Sequence, residues 1–370
     1  VTWSPQQEAA IKDVRRWMGE RGSQVFRLFG YAGTGKTTLA RELAGAVDGR
    51  VLFGAFTGKA ALVLRRKGCE DASTIHSMIY RLDEENDGWQ PKFLLNHDSE
   101  VRDAKLVIID ECSMVDEELG RDLLSFGTKV LVLGDPAQLP PVKGAGFFTN
   151  ATPDVMLTEV HRQARDNPII AMSMTIREGG SLVPGMYGTS AVIPRADVKA
   201  EHILAASQII VGLNRTRQAY NRRIRTLLGR QGDMPVVDDK LVCLRNDREK
   251  RLLNGGLWTV ARTKKKRKKA APTDTVSLEI VPDDAESWTA TTAVKVRREF
   301  FEGTDDELAW EDRKGTQEFT YGYALTCHKS QGSQWPDVIV FDEAGAFREN
   351  ATRWRYTAIT RAAERVTVVQ

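Results

Sequence analysis

"RLFGYAGTGKTTLAREL", residues 27–43, sets an apolar strand, a glycine-rich loop and a helix start in immediate succession. Gly30, Gly35, Lys36 and Thr37 satisfy the pattern G-x-x-x-x-G-K-[ST]. "VFRLF" at 25–29 reads as a short buried strand ahead of the loop, and "TTLARELAGAV" continues behind it at helical spacing. Glycine is needed here because the backbone N–H groups must turn inward along a path that a Cβ obstructs, and the helix N-terminus adds donors of its own. The stretch therefore reads as a phosphate cradle built from Gly33, Thr34, Gly35, Lys36, Thr37 and Thr38. Lys36 is expected to reach the β and γ phosphates of a nucleotide, and the Thr37 hydroxyl to meet Mg²⁺.

Outward from the loop, short apolar runs alternate with helical stretches: "VLFGAF" at 51–56, "LVIID" at 106–110 and "VLVLG" at 130–134. Strands without polar alternation, separated by helices, predict an α/β fold with a parallel sheet covered on both faces. A second set, "QIIVGL" at 208–213, "YGYALT" at 321–326, "DVIVFD" at 337–342 and "RVTVV" at 365–369, predicts a second domain of the same kind without a phosphate loop. From 232 to 315 the character changes. "PVVDDKLVCL", "GLWTVART", "TVSLEIV" and "TAVKVRREF" alternate apolar with polar residues around turn signals such as Asn254-Gly255. That segment predicts a small β-barrel inserted in the second domain. A shorter insertion at 81–103, polar and without helical period, interrupts the first. The domains are thus expected at 1–80 with 104–170, and at 171–231 with 316–370.

The 370 residues suffice for two or three domains, and no run of 18 apolar residues or signal-peptide pattern suggests a membrane or secreted protein. The four cysteines are far apart, which argues against a zinc ribbon or disulfide framework and for a reducing cytoplasm, and the compact length suits a bacterial or phage-infected cell. Net charge is +3, but "KKKRKK" at 264–269 carries six positive charges, and taking those away leaves −3. Affinity for a polyanion has to come from local grooves or from that run, which reads equally as a solvated loop tip.

"VIIDECSMVD" closes an apolar strand on adjacent carboxylates, Asp110 and Glu111. Phosphoanhydride hydrolysis needs one carboxylate near Mg²⁺, here Asp110 beside Thr37, and another to orient and deprotonate water. "LGDPAQLPPV" at 133–142 ends the next strand and offers Gln138 to the γ phosphate. With these motifs the sequence resembles a superfamily 1 helicase of the RecD and Dda type. "WSPQQEAA" resembles the adenine-reading Q motif, with Gln7 in the key place, and "GYAGTGKTT" is motif I. "FTGKAA" at 56–61 and "STIHSMI" at 73–79 resemble motif Ia and the segment after it, "DECS" motif II and "GDPAQLPPV" motif III. "EVHRQ" at 159–163 presents Arg162, "YALTCHKSQGSQW" at 323–335 is motif V with Gly332, and "YTAITRA" at 356–362 is motif VI with Arg361.

The resemblance implies two RecA-like domains, a pin in the first formed by 81–103 and an SH3-like barrel in the second. It implies ATP and Mg²⁺ in the cleft, with Arg162 and Arg361 directed at the γ phosphate, and translocation 5′ to 3′ on single-stranded DNA toward duplex junctions. Thr57, Lys59, Thr74 and His76 of the first domain and Thr326, His328 and Lys329 of the second are implied phosphate contacts, suited to holding a strand without reading its sequence. His76 and His328 also fit plain structural roles. Trp89 or Phe93 in the pin fits either a wedge stacked on the last base pair or packing of the insertion. Gln334 stands where relatives often carry an acidic residue, so no ribose contact is assigned to it. The matching motifs occupy nearly all of these 370 residues, so accessory domains that relatives carry at either end are not expected within them, and a monomer is. A translocase that does not open duplexes, working as a subunit of a nuclease complex, and an ATP-switched nucleic-acid clamp share most of these motifs; replication or recombination proteins are the expected partners.

Overall fold

Along the buried strands, successive side chains fall alternately into two cores. In the strand Leu106–Asp110, Val107 and Ile109 join one cluster, while Leu106 and Ile108 join another on the opposite face. Val130–Gly134 divides the same way, with Val130 and Val132 against Leu131 and Leu133. A period of two in a strand covered by helices on both sides requires apolar residues at every position, which is why these runs show no polar alternation.

The computed structural model describes residues 3–83, 93–141, 146–159, 166–247, 249–263, 274–283 and 291–370. In chain order the first half holds β1 (Val25–Gly30), β2 (Val51–Ala55), β3 (Ser73–Thr74), β4 (Tyr80–Leu82), β5 (Phe93–Leu95), β6 (Leu106–Asp110), β7 (Val130–Gly134) and β8 (Val155–Leu157). Six of them form one parallel sheet in the order β3-β2-β6-β7-β1-β8, and β4 and β5 pair as a separate antiparallel hairpin. Because β6, β7 and β1 are neighbours, their C-terminal ends bring the phosphate loop, Asp110 and Glu111, and the loop after Gly134 to one edge of the sheet. Open parallel sheets bind ligands at that edge.

The second half holds β9 (Gly185–Tyr187), β10 (Ser190–Ile193), β11 (Gln208–Val211), β12 (Lys240–Cys243), β13 (Leu257–Thr263), β14 (Thr275–Pro282), β15 (Thr292–Arg297), β16 (Phe319–Tyr321), β17 (Ala324–Thr326), β18 (Trp335–Phe341) and β19 (Ala362–Val369). The second sheet runs β17-β11-β18-β19-β10-β9, parallel except for the edge hairpin of β9 and β10. The third is antiparallel, β15-β14-β13-β12-β16. Its outer strands approach each other where the Gln317 N–H donates to the Lys295 carbonyl at 2.8 Å and Val296 bridges Gln317. No helix among the described residues is long and apolar enough to cross a membrane.

Two expectations change. "YGYALT" is not one strand: Tyr321 ends β16 of the third sheet, and Ala324 begins β17 of the second. The insertion therefore runs to Tyr321 rather than 315, because Phe319 and Tyr321 are buried in the core of the third sheet. The crossing is made at Gly322, where a Cβ would lie 2.9 Å from the Leu241 carbonyl carbon. The 81–103 insertion is in part the β4–β5 hairpin, followed by a short 3₁₀ turn at Glu100–Asp103. Trp89, Arg162 and the 264–269 run lie outside the described residues.

The root of the third sheet is fixed by Asp239, a fully buried carboxylate. It accepts hydrogen bonds from Arg225 Nε (3.2 Å), Arg230 NH1 (2.9 Å), the Tyr323 hydroxyl (2.8 Å) and the Val236 N–H (2.7 Å). Arg225 also lies over the Tyr321 ring at 4.4 Å. Both arginines come from the second domain's helix Asn214–Leu227 or the turn after it, so one carboxylate ties that domain to the root of the inserted sheet. Removing one partner of a buried ion pair leaves the other charge uncompensated, at a cost of about 3–5 kcal/mol. Asp239→Ala is expected to release the joint by that order, seen as early loss in denaturant of hydrogen-exchange protection in β12 and β16. Unchanged protection in those strands contradicts this account of the joint.

Candidate active site

The loop after β1 turns on two glycines in the left-handed region, Gly33 at φ 80° and Gly35 at φ 76°, and Gly35 also caps the helix Lys36–Gly45. At Gly30 a Cβ would sit 2.6 Å from Thr34 Oγ1, so the tight return of the loop requires glycine there too. Lys36 Nζ donates to the carbonyls of Gly30 (2.5 Å) and Tyr31 (3.0 Å), which holds the ammonium at the mouth of the cradle. Thr37 Oγ1 donates to Asp110 Oδ2 at 3.0 Å, and Asp110 Oδ1 accepts the Glu111 N–H at 2.9 Å. Burial, with the Glu111 carboxylate adding, pushes the Asp110 carboxyl up, while Lys36 and the two hydrogen bonds oppose this. Glu111 itself has φ 53° and ψ 44°, a left-handed backbone that a non-glycine residue rarely adopts. That turn sets the second carboxylate just beyond the first.

A paired hydroxyl and carboxylate suit a hard, oxygen-seeking cation that keeps several of its ligands from water and phosphate. Among the described residues no group of three or more His, Cys, Asp or Glu could hold a metal on its own. Thr37 and Asp110 thus fit Mg²⁺ that arrives with a nucleotide.

A cavity of about 720 Å³ opens between the first and second sheets. Gly33, Gly35, Lys36, Thr37, Thr38, Asp110, Glu111 and Gln138 line it from the first domain, Gly332 and Arg361 from the second. Arg361 is only 3% exposed and is held by its own domain. Its Nε donates to the Thr357 carbonyl (3.0 Å), NH1 to the Ser333 carbonyl (3.2 Å) and NH2 to Thr360 Oγ1 (3.2 Å). Gln138 is mostly buried, with its Oε1 lacking a hydrogen-bond partner.

Two residues expected at the nucleotide do not face this cavity. Thr34 is 1% exposed and spends its hydroxyl on the Tyr31 carbonyl at 2.8 Å. Gln7 is 2% exposed: its Oε1 accepts the Ser4 N–H in a capping box, and its Nε2 donates to the Thr34 carbonyl at 3.0 Å. Its geometry is that of a brace between the first helix and the phosphate loop rather than a reader of adenine. Neighbouring Gln6 is the more exposed of the two and bonds Met156 of β8 and Thr158 and Glu159 just after it.

The implied DNA contacts share a local design. Thr57 follows β2, Thr74 and Thr326 end β3 and β17, and each caps the next helix, accepting the N–H groups of Ala60 (3.1 Å), Ser77 (3.1 Å) and Lys329 (3.4 Å). Helix starts so capped leave further N–H donors for a phosphate. His76 packs near Phe56 and Tyr80, and His328 near Phe347, with centroids 5.7–6.0 Å apart. Burial lowers both imidazole pKa values, which favours neutral N–H donors at neutral pH. The Lys329 ammonium is crowded by protein, and desolvation, with Arg217 adding and Asp305 opposing, pushes its pKa down to about 8. Lys59 stands apart from this set. Its ammonium lies 4.8 Å over the Trp335 ring, and the pair lines the wall of the interdomain cavity. Close by, a Cβ on Gly332 would lie 2.9 Å from Ala60 Cβ, and one on Gly58 2.7 Å from Leu253 of the inserted sheet. All three units therefore meet at residues 57–60.

A family model described as an AAA domain matches residues 2–193, and one described as a UvrD-like helicase C-terminal domain matches residues 321–369. The chain belongs to the superfamily 1 helicases, of the RecD type. The ATP-dependent RecD2 DNA helicase of Deinococcus radiodurans is 29% identical over 373 residues, covering 93% of this chain and 46% of that protein. The probable conjugal transfer protein TraA of Sinorhizobium fredii is 27% identical over 214 residues, covering 54% of this chain and 18% of that protein. The chain thus spans less than half the length of either relative. In fold, this superfamily 1 chain is similar to the Pif1 helicase of Candida albicans (TM-score 0.57, 19% identity, 100% of this chain and 94% of that one). It is similar also to the Bacteroides Pif1 helicase in complex with ADP-AlF3 and ssDNA (TM-score 0.56, 18% identity, 99% and 92%).

Several residues of the cleft are absent from the sequence reading, above all Asp135, Gln331, Trp335, Tyr356 and Thr357. Each lies inside or beside a motif, but its partner is in the other domain, and spacing carries no sign of that. For the one assigned arginine within the described residues, Arg361→Ala is expected to retain binding of a fluorescent ATP analogue and to lose turnover by about 10³-fold or more. Near-normal hydrolysis by a folded Arg361→Ala protein contradicts its role.

Proposed function

We propose that the chain is an ATP-driven motor that moves 5′ to 3′ along single-stranded DNA and separates duplex strands. The observation that carries the reading is the division of one hydrolytic set across two sheets: Lys36, Thr37, Asp110, Glu111 and Gln138 on one wall of the cavity, Arg361 on the other. An arginine on the opposite domain stabilises the transition state only when the cleft is shut, which makes hydrolysis and domain closure one event.

In this mechanism the loop N–H groups and Lys36 neutralise the β and γ phosphates, and Glu111 orients and deprotonates the attacking water. Thr37 and Asp110 would hold Mg²⁺, which when bound would supply further charge neutralisation at the phosphates. Gln138 and Arg361 bear on the γ phosphate from the two sides, and Arg162 is assigned the same target. Thr57, Thr74, His76, Thr326, His328 and Lys329 hold DNA phosphates through capped helix starts and short polar side chains, and such contacts position a strand without reading it. Lys59 serves the cleft wall instead. Alternate opening and closing shifts grip between the two domains, so the phosphate chemistry makes the motion directional.

The β4–β5 hairpin is the pin of this machine. Phe93, paired with Leu82 at the end of the hairpin away from the sheet, is 61% exposed, as a base-stacking residue must be. One base stacked on an aromatic ring contributes about 1–3 kcal/mol, against a mean of about 1.4 kcal/mol for a DNA base-pair step. Stacking therefore holds an opened pair, and ATP drives progress. The antiparallel insertion acts as an SH3-like barrel facing the strand, with the 264–269 run a phosphate contact. We place the protein in a bacterial cytoplasm, active as a monomer with single-stranded DNA and junctions, beside replication or recombination proteins.

The test is the ATP hydrolysis rate with and without a single-stranded oligonucleotide, with Lys36→Ala as control, followed by duplexes bearing a 5′ or a 3′ tail. Strong stimulation lost in the mutant, and unwinding from the 5′ tail, are expected. An unstimulated rate removes the motor reading; stimulation without unwinding leaves a translocase, and unwinding only from the 3′ tail overturns the polarity.

A further inference from the structure

Tyr356 belongs to the helix Ala351–Ile359 of the second domain, yet both partners of its hydroxyl lie in the first. The Ala32 N–H of the phosphate loop donates to Tyr356 Oη at 2.8 Å, and Tyr356 Oη donates to Asp135 Oδ2 at 2.6 Å. The side chain is 1% exposed, so no water competes for either bond. Only a neutral hydroxyl can accept from the loop and donate to the carboxylate at once. Burial and the Asp135 charge both push the phenol upward, and this keeps its proton in place.

Asp135 passes the constraint on. Its Oδ1 accepts the Ala137 N–H at 3.0 Å, and its carbonyl accepts the Gln138 N–H at 3.1 Å, which shapes the turn that presents Gln138 to the cleft. On the far side of Gln138, the Leu139 N–H donates to Thr357 Oγ1 (2.9 Å), and Gln331 Nε2 donates to the Leu139 carbonyl (3.0 Å). Gln138 is therefore held before and after by second-domain residues. Arg361 is tied to the same helical turn through the Thr357 carbonyl.

We infer that Tyr356 is a positioning residue for hydrolysis: it locks the phosphate loop, the Gln138 turn and the helix end that carries Arg361 into one unit, so that a change at Ala32 reaches both Gln138 and Arg361 through a single phenol. The inference rests on the reading of the cleft as an ATP-hydrolysing site. Tyr356 touches neither nucleotide nor metal in this scheme; it acts through Asp135 and the backbone.

Tyr356→Phe keeps the ring and deletes only the hydroxyl. The experiment measures basal and DNA-stimulated turnover, the Kd of a fluorescent non-hydrolysable ATP analogue, and the thermal midpoint, for Tyr356→Phe, Asp135→Asn and the double variant. Turnover in Tyr356→Phe is expected to fall about tenfold or more, basal rate included, while the analogue Kd changes by less than about threefold. The double variant is expected to turn over no more slowly than the slower single one, because both break the same link. A packing role instead lowers analogue affinity and thermal midpoint together with turnover. Three outcomes overturn the inference: turnover within about twofold of the parent, analogue binding lost in step with turnover, or a double variant whose loss is the product of the singles. The basal rate is read separately, so a parent chain that DNA fails to stimulate overturns the motor reading without removing this comparison.

Discussion

Leu139 lies in the loop that leaves the first sheet, and its side chain is 1% exposed inside the core of the second. That apolar anchor is the constraint on which the cleft depends. Burying a leucine stabilises an interface by about 1.5–3 kcal/mol and has no direction of its own. Direction comes from the bonds around it, at Thr357, Gln331, Asp135 and Tyr356. Seated this way, the loop holds Gln138 facing the phosphate cradle while the neighbouring helix turn carries Arg361. A motor needs such a seam to be specific but small, so that nucleotide contacts of a few kcal/mol can shift it.

The inserted sheet extends the same logic. Asp239 and its two arginines bind it to the second domain, whereas its contact with the first includes Leu253 against Gly58. A joint held by a buried ionic network on one side and an apolar touch on the other is expected to stay with the second domain in any relative motion. Residues 57–60, where Gly332, Trp335 and Leu253 converge, then lie where any relative motion of the three units is felt.

Much of this was legible in the sequence because it rests on local rules. The central strands of the first two sheets show as apolar runs, since strands buried on both faces have few polar positions, and the third sheet shows as alternation. The phosphate loop is legible because left-handed turns at Gly33 and Gly35 need glycine. What stayed hidden is short or non-local. β3 and β8, of two and three residues, are too brief to carry a period. The break at Gly322 depends on a close approach to Leu241, 81 positions away in sequence on another strand. Gln7 has the right residue type for a base contact, but its capping-box partner Ser4 and the Thr34 carbonyl claim its amide. Tyr356 sits in plain view within "YTAITRA", yet its partners are 324 and 221 positions away.

The claim at the centre is that nucleotide closes one sheet on the other. All four cysteines are buried, so cysteines introduced at the exposed positions Glu42 and Glu364 can be labelled selectively, one on each domain. Resonance energy transfer between the two labels, measured without nucleotide, with a non-hydrolysable ATP analogue and with ADP, reads the motion directly. The analogue is expected to change the transfer, ADP to reverse the change, and Lys36→Ala to abolish it. Transfer that stays the same in all three states, in a protein that binds the analogue, contradicts the coupling of phosphate chemistry to the cleft.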